Sequence, residues 1–258
     1  MARGAAPRSL RHGVVAPSLA AALALAVLVS LGLWQLQRKT WKEGLIATLE
    51  QRLSAPPIKL PPPAQWLRLT AAEDEFLRVA MTAEFLNDRQ ALVYTGGSTL
   101  RDATGGPGYW VFTPARLEGG AFVMVNRGFV PEGKQSAAAR PDGQVVGAVN
   151  MVGVLRWPEQ PGLFTPTGDP ARNIWFARDS TAMAAAKGIG VAPFYVELET
   201  PETPGGLPRA GRLQPSLPNN HFGYAITWLG LAAVLVGVYA AWLFGGWRKR
   251  DGAAESGA

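Results

Sequence analysis

Two long runs of apolar residues dominate the pattern of the 258-residue chain, one near each end. Residues 14–36 are apolar apart from two serines and one glutamine, and residues 222–247 contain no charged side chain. About 20 apolar residues in a helix cross a hydrocarbon core of about 30 Å. The pattern predicts transmembrane helices at 14–36 and 221–247, with short tails at 1–13 and 248–258.

A helical period continues beyond the first apolar run. Trp41, Leu45, Leu49 and Leu53 recur every four residues, as the residues on one face of a helix do. We therefore expect residues 37–55 to extend the first helix out of the membrane. The proline-rich segment that follows ends it, because proline removes a backbone donor and clashes with the preceding turn.

Residues 56–200 read as a β-rich domain of seven short strands separated by turn residues. One short helix interrupts the series, with Asp179 or Ser180 as its N-cap and Gly188 as its end. Residues 201–220, rich in proline and glycine, predict a linker to the second span. The predicted strands cover residues 76–86, 91–97, 109–117, 121–131, 145–157, 173–179 and 194–200. The fold predicted is a membrane protein in which two transmembrane helices flank a mainly antiparallel β domain, barrel- or sandwich-like, with one short helix.

The positive charge of the chain lies mostly beside the apolar runs. A net charge of +6 and a pI near 9.9 could indicate a nucleic-acid partner. Cations that flank lipid-spanning segments instead meet anionic headgroups, so we expect a lipid bilayer partner and no nucleic acid. The flanking cations are Arg3, Arg8, Arg11, Arg38, Lys39, Lys42, Arg248, Lys249 and Arg250.

The N-terminal run allows three interpretations. The basic first residues could begin a mitochondrial presequence, and the apolar run could be a cleaved secretory signal. A charged stretch follows residue 36 where a small-residue cleavage site should lie, which favours an uncleaved anchor. Two spans place both termini on one side of the membrane, and we expect that side to be cytoplasmic.

Several catalytic chemistries are excluded by composition. The chain contains no cysteine and two histidines, His12 and His221, neither of which lies between the spans. The β domain therefore has no disulfide, cysteine nucleophile, histidine-based triad or common zinc site. The sequence indicates no catalytic residue, and we expect the protein not to be an enzyme. A Ser–Lys dyad is the one catalytic arrangement that this composition still allows. Its members would come from Ser98, Ser136 or Ser180 with Lys134 or Lys187.

One arginine breaks the apolar pattern of a predicted strand. In an extended chain Val125, Arg127 and Phe129 share a face, so the cation lies among apolar neighbours. Arg127 could cap one end of a barrel, or pair with a carboxylate such as Glu159 or Asp179. The alternative is a functional anchor for an anionic or partner surface.

Five segments, in order along the chain, resemble the SURF1/Shy1 family of cytochrome c oxidase assembly proteins. Two are VNRGFVP (residues 125–131) and NHFGYAITWLGLAAVLVGVYA (residues 220–240). The others are LGLWQLQRKTWKEGLIATLEQRL (residues 31–53), GVLRWPE (residues 153–159) and NIWFARD (residues 173–179). The resemblance implies an assembly factor, a chaperone of the respiratory chain, in the cell (plasma or inner) membrane, with a periplasmic β domain and cytoplasmic termini. Its partners would be oxidase subunit I and other assembly factors.

His221, at the front edge of the second span, could by position alone be a metal ligand, a hydrogen-bonding cap or an interface residue. It matches the family's candidate haem-ligand histidine, so the resemblance implies transient binding of haem a through one axial imidazole. Tyr224 and Trp228 follow on the same helix face, and we name them as cofactor-binding candidates with His221. The alternative function is a scaffold for nascent subunit I that binds no haem.

Overall fold

The structure is a computed structural model that describes residues 12–96, 106–212 and 219–255. The chain divides into two compact units. One comprises Met1–Ala47 and Leu217–Ala258, and the other comprises Thr48–Ser216. Ser98, most of the predicted N-terminal tail and residues 213–218 of the predicted linker lie outside the described residues.

Both predicted spans are helical. Helix α1 runs without a break over His12–Ser54 and so includes the predicted extension beyond the membrane. The last helix, α4, covers His221–Glu255 and continues into the predicted C-terminal tail. Each helix is long and apolar enough to cross a bilayer, the second from His221 to Phe244. This confirms the two membrane helices and indicates a membrane protein.

The β domain contains an eight-stranded sheet in the order β1-β2-β6-β8-β5-β4-β3-β7. Because β2 also pairs with β4, the strands β2, β6, β8, β5 and β4 close into a ring. Most pairs are antiparallel, and β5–β8 is parallel. The bounds are β1 Ile58–Lys59, β2 Arg78–Phe85, β3 Ala91–Thr95, β4 Gly108–Leu117, β5 Phe122–Pro131, β6 Ala148–Arg156, β7 Ile174–Trp175 and β8 Tyr195–Thr200. The structure thus has the predicted mainly antiparallel domain in its barrel form.

The inside of the barrel is filled by the alternating apolar residues of its strands. Val79, Met81, Ala83 and Phe85 of β2 are all buried, while the residues between them are partly exposed. Side chains from β5, β6 and β8 complete this cluster. Strands β4 and β5 are buried on both faces, because a second apolar cluster covers their outer side.

The short helices lie at the edges of this domain. Helix α2 spans Ala71–Asp74 and helix α3 spans Ser180–Ala186. Asp179 accepts a hydrogen bond from the backbone N–H of Ala182 at 2.9 Å, as an N-cap does, which confirms the predicted start of α3. Met183 of α3 is fully buried in the second apolar cluster.

Two strands differ from the prediction. The predicted strand 173–179 is too long, because only Ile174–Trp175 pairs with β3. Asn173 has a positive φ of 59°, which strand residues do not adopt, and Asp179 is the N-cap of α3. The short strand Ile58–Lys59 was not predicted, because it lies among prolines. It pairs in parallel with β2.

The described part of the predicted linker packs on the barrel. Phe129 and Arg209 exchange two backbone hydrogen bonds of 2.9 and 2.8 Å, which adds a single bridge to β5 beyond the residues that pair with β8. A bridge made by backbone atoms alone requires no particular side chains. The sequence therefore predicted only a linker rich in proline and glycine, and not its contact with β5.

Candidate functional site

Helices α1 and α4 contact each other through small residues and run in opposite directions. A Cβ atom placed on Gly32 would lie 2.7 Å from Leu229 Cδ2, so the glycine allows close approach. On α4, Ala225 and Ala232 are only 1% and 5% exposed. Ser18 of α1 contacts the hydroxyl of Tyr239 on α4, which pairs the start of one helix with the later part of the other.

At the other end of this helix pair, His221 meets Gln35. The imidazole Nδ1 lies 2.7 Å from the side-chain Oε1 of Gln35, and the pair is partly buried. An amide oxygen accepts hydrogen bonds, so Nδ1 is the donor in this contact, and a neutral ring in this tautomer has its lone pair on Nε2. A second residue that fixes the tautomer and orientation of a histidine is a common feature of metal-ligating histidines.

The depth of this contact follows from helix geometry. Between Ser18 and Gln35, α1 rises about 25 Å, close to the hydrocarbon thickness of about 30 Å. The two interhelical polar contacts therefore stand at opposite ends of the membrane-spanning part of the pair. His221 lies near one boundary of the hydrocarbon layer, where a ligand can have an apolar body and a polar edge.

The other two predicted site residues lie differently around α4. Tyr224 is 58% exposed, whereas Trp228 is half-buried. Tyr224 lines an open cleft of about 560 Å³ at the start of α4. The cleft is lined by Asn219, Asn220, Phe222, Gly223, Tyr224 and Thr227. Binding by Tyr224 and Trp228 remains a prediction, with Tyr224 the better placed for a ligand that lies against the lipid-facing side.

Gln35 is the residue that sequence reasoning missed. In the sequence, Gln35 is one of three polar residues in the first apolar run, and the pattern predicts no role for it. The sequence did contain a signal for this contact. Gln35 is near the end of one predicted span and His221 is near the start of the other, so antiparallel helices place them at the same depth. The contact itself depends on the rotation of each helix, which the sequence does not specify.

The donor set restricts which metal this site fits. Among the described residues, no group of three or more histidine, cysteine, aspartate or glutamate side chains could hold a metal ion. A single imidazole binds a bare transition-metal ion poorly, because stable protein sites supply three or four ligands. It fits a metal that brings its other ligands with it, as iron in a porphyrin does.

The SURF1 family model matches residues 22–233, a range that contains both Gln35 and His221. This chain belongs to the SURF1 family. It is 37% identical to a SURF1-like protein of Monosiga brevicollis over 243 residues, 90% of this chain and 87% of the relative. It is 36% identical to Surfeit locus protein 1 of Rattus norvegicus over 216 residues, 81% of this chain and 69% of the relative. For Surfeit locus protein 1 of Homo sapiens, the identity is 34% over 212 residues, 79% of this chain and 69% of the relative.

In the β domain of this SURF1 family member, Arg127 is 1% exposed. Its Nη1 donates to Asn87 Oδ1 at 2.9 Å, its Nη2 donates to the Gly143 carbonyl, and its guanidinium stacks 4.2 Å from the ring centre of Phe85. Burial, together with the charge of Arg140, lowers the pKa of Arg127 to about 10. Arg127 therefore stays a cation at neutral pH, held by neutral groups.

The predicted carboxylate partners of Arg127 are wrong. Glu159 lies 3.8 Å from Arg178, and Asp179 is used as the cap of α3. Glu159 thus belongs to an ion pair and Asp179 to a helix cap. The prediction failed because it paired charges by sequence composition, whereas the barrel separates them.

A second charge cluster of the β domain brings arginines and glutamates together. Glu197 on β8 is 4% exposed and lies 3.6 Å from Arg156 and 3.7 Å from Arg178. Arg156 also pairs with Glu75 at 3.0 Å. Burial raises the pKa of the Glu197 carboxyl, while the two arginines oppose that rise. Arg156 on β6 and Glu197 on β8 thus join the two strands by opposite charges, at distances too long for Glu197 Oε2 to accept a hydrogen bond.

The serine–lysine alternative finds no support in the described geometry. Ser180 is fully buried at the start of α3, where no substrate reaches its hydroxyl. Ser136 and Lys134 lie on an exposed turn. An activated serine needs a base within hydrogen-bond reach and a desolvated lysine, which an exposed turn does not provide.

Proposed function

We propose that this chain is a membrane-bound assembly factor for cytochrome c oxidase that assists haem a insertion or retention in subunit I. Subunit I and other assembly factors would be its partners, and the protein would act as a chaperone without catalysing a reaction. The proposal places the β domain in the periplasm and both termini in the cytoplasm. The observation that carries it is the pairing of His221 with Gln35 at one end of the α1–α4 pair.

The site suits a haem with a long apolar tail. Haem a supplies a redox-active iron to the oxidase and is poorly soluble in water. His221 would hold the haem iron through Nε2, and Gln35 would orient the imidazole ring. Tyr224 and Trp228 would contact the macrocycle as aromatic surfaces beside lipid. One protein ligand holds a group less firmly than two, as transfer to another protein requires.

The test is co-purification of the full chain from membranes that produce haem a, with optical spectra of the wild type and variants. His221→Ala should lose most of the bound haem, and Gln35→Leu should lose part of it because the ring is no longer oriented. Gln37→Leu is the matched control, since Gln37 is exposed on the same helix.

The outcomes separate the two candidate functions. If His221→Ala retains the haem content of the wild type, His221 has no part in binding. Capture of subunit I by such a variant would then favour the scaffold that binds no haem. Serine-directed activity labelling checks the hydrolase alternative, and an unlabelled, folded protein argues against it.

A further inference from the structure

We propose that Arg127 and Arg140 form a binding site for a small oxyanion, a carboxylate or phosphate, within the β domain. The site is separate from the helix pair and does not depend on haem binding. It would take a ligand that accepts several hydrogen bonds from two guanidinium groups, which present planar forks of N–H donors suited to oxyanions.

The first observation is that two buried cations lie together without a counter-charge. Arg127 and Arg140 are 1% and 5% exposed, and the charge of Arg140 acts directly on Arg127. No ion pair joins either arginine to an acid among the described residues. Burying an unpaired charge is costly, and two like charges side by side add repulsion.

The second observation is the contrast with three partly buried arginines of the same domain. Arg78 lies 2.8 Å from Glu199, and Arg156 and Arg178 both pair with Glu197. The barrel thus supplies carboxylates to these cations. Among the residues that the structure describes, neither Arg127 nor Arg140 has such a carboxylate partner.

The third observation is the set of unused donors. The Nε atom of Arg127 and the Nε and Nη1 atoms of Arg140 are buried and have no hydrogen-bond partner. Buried donors in folded proteins are nearly always satisfied, so three in one pair of side chains point to an acceptor that comes from elsewhere. An oxyanion provides both the acceptors and the missing charge.

The surroundings hold the two arginines in place with neutral groups. Arg140 Nη2 donates to Gln90 Oε1, and Gln90 Nε2 donates to Gln144 Oε1 at 2.6 Å. Asn87 accepts from Arg127 and donates to the Val145 carbonyl at 2.8 Å. Amides fix the geometry of the guanidinium groups but leave their charge uncompensated, as a preformed anion site requires.

The position of the two arginines limits the size of the ligand. Residues 132–139, most of which are exposed, precede Arg140, and two short 3-10 turns, Ala137–Ala139 and Pro141–Gly143, flank it. The second turn is packed against Leu207, since a Cβ atom on Gly143 would lie 2.1 Å from the Leu207 carbonyl oxygen. Both arginines are buried, so the site suits a small anion and not a folded macromolecule.

The experiment measures thermal unfolding of the full chain in detergent at neutral pH and constant ionic strength. Chloride is replaced stepwise by inorganic phosphate or by acetate. The unfolding midpoint should rise with the logarithm of the probe concentration, by about 3–6 °C at ten times the dissociation constant of the probe. Arg140→Gln should remove this rise, and Arg140→Lys should remove most of it because the planar fork is lost.

Arg116→Gln is the matched control, because Arg116 is exposed and pairs with Glu84 at the surface. It should keep the full rise. A wild type whose midpoint is the same in chloride, phosphate and acetate overturns the proposal, even if the Arg140 variants do not fold. A rise that persists in Arg140→Gln, or that Arg116→Gln also loses, overturns it as well.

Discussion

Gly128, within the VNRGFVP segment, offers the sharpest test of how the barrel is assembled. Its φ is +117°, a region that favours glycine, and a Cβ atom there would lie 1.9 Å from the Arg209 carbonyl oxygen. The obstacle is backbone, which cannot rotate away as a side chain does. The substitution Gly128→Ala must therefore push residues 209–210 off the edge of β5.

The expected cost has two sources. Forcing alanine into a positive φ costs about 1–3 kcal/mol. Moving the segment also breaks the two hydrogen bonds between Phe129 and Arg209, worth about 1 kcal/mol each. Since both sources act on one displacement, we expect a loss of about 2–5 kcal/mol from a domain stability on the order of 5–15 kcal/mol.

Thermal unfolding of the full chain in detergent, followed by tryptophan fluorescence, measures this loss. Gly120→Ala is the matched control, because Gly120 has a φ of +81° but open space around its Cβ position. Gly120→Ala should lose only the free energy of forcing alanine into a positive φ, without any steric displacement. If Gly128→Ala lowers the midpoint no more than Gly120→Ala does, residues 209–210 are not fixed on β5 and the steric reasoning is refuted.

Three further predictions concern the core, the helix pair and pH. Met183→Ala should lower the unfolding free energy by about 2–5 kcal/mol in denaturant titrations, because Met183 is fully buried. Gly32→Leu should separate the helices at Leu229 and reduce haem recovery, whereas Gly44→Leu, at an open position, should not. Burial raises the pKa of the Glu197 carboxyl, so the folded state keeps that proton to higher pH than the unfolded state. Wild-type stability should therefore fall, relative to Glu197→Gln, as pH rises from about 4.3 towards the folded pKa; an opposite slope would contradict this.

The features that could be predicted from the sequence are those with a local period. Apolar length indicated α1 and α4, and strict alternation indicated β2. Asp179 indicated the N-cap of α3, and Gly188 indicated its end. The φ of Gly188 is +69°, a conformation that glycine adopts readily after a helix. Each of these depends on residues within a few positions of one another, where side-chain type and backbone preference act directly.

The features that were missed depend on contacts between distant residues. Strand β1 and the Phe129–Arg209 bridge are backbone pairings in proline-rich segments that carry no alternation. The partners of Arg127 are an amide and a carbonyl rather than a carboxylate, whereas Glu159 pairs with Arg178 and Asp179 caps α3. Gln35 faces His221 only because of how two helices are rotated.

The choice of a neutral partner for His221 bears on what the ring can do. An amide oxygen at 2.7 Å orients the imidazole and leaves the Nε2 lone pair available. A carboxylate in the place of Gln35 would add a charge that favours the doubly protonated ring, which has no lone pair to give. It would also carry that charge into the edge of the hydrocarbon layer, at a cost that an amide avoids. For the proposed function, glutamine is therefore a suitable partner, because it orients the imidazole through Nδ1 without adding a charge at the membrane boundary.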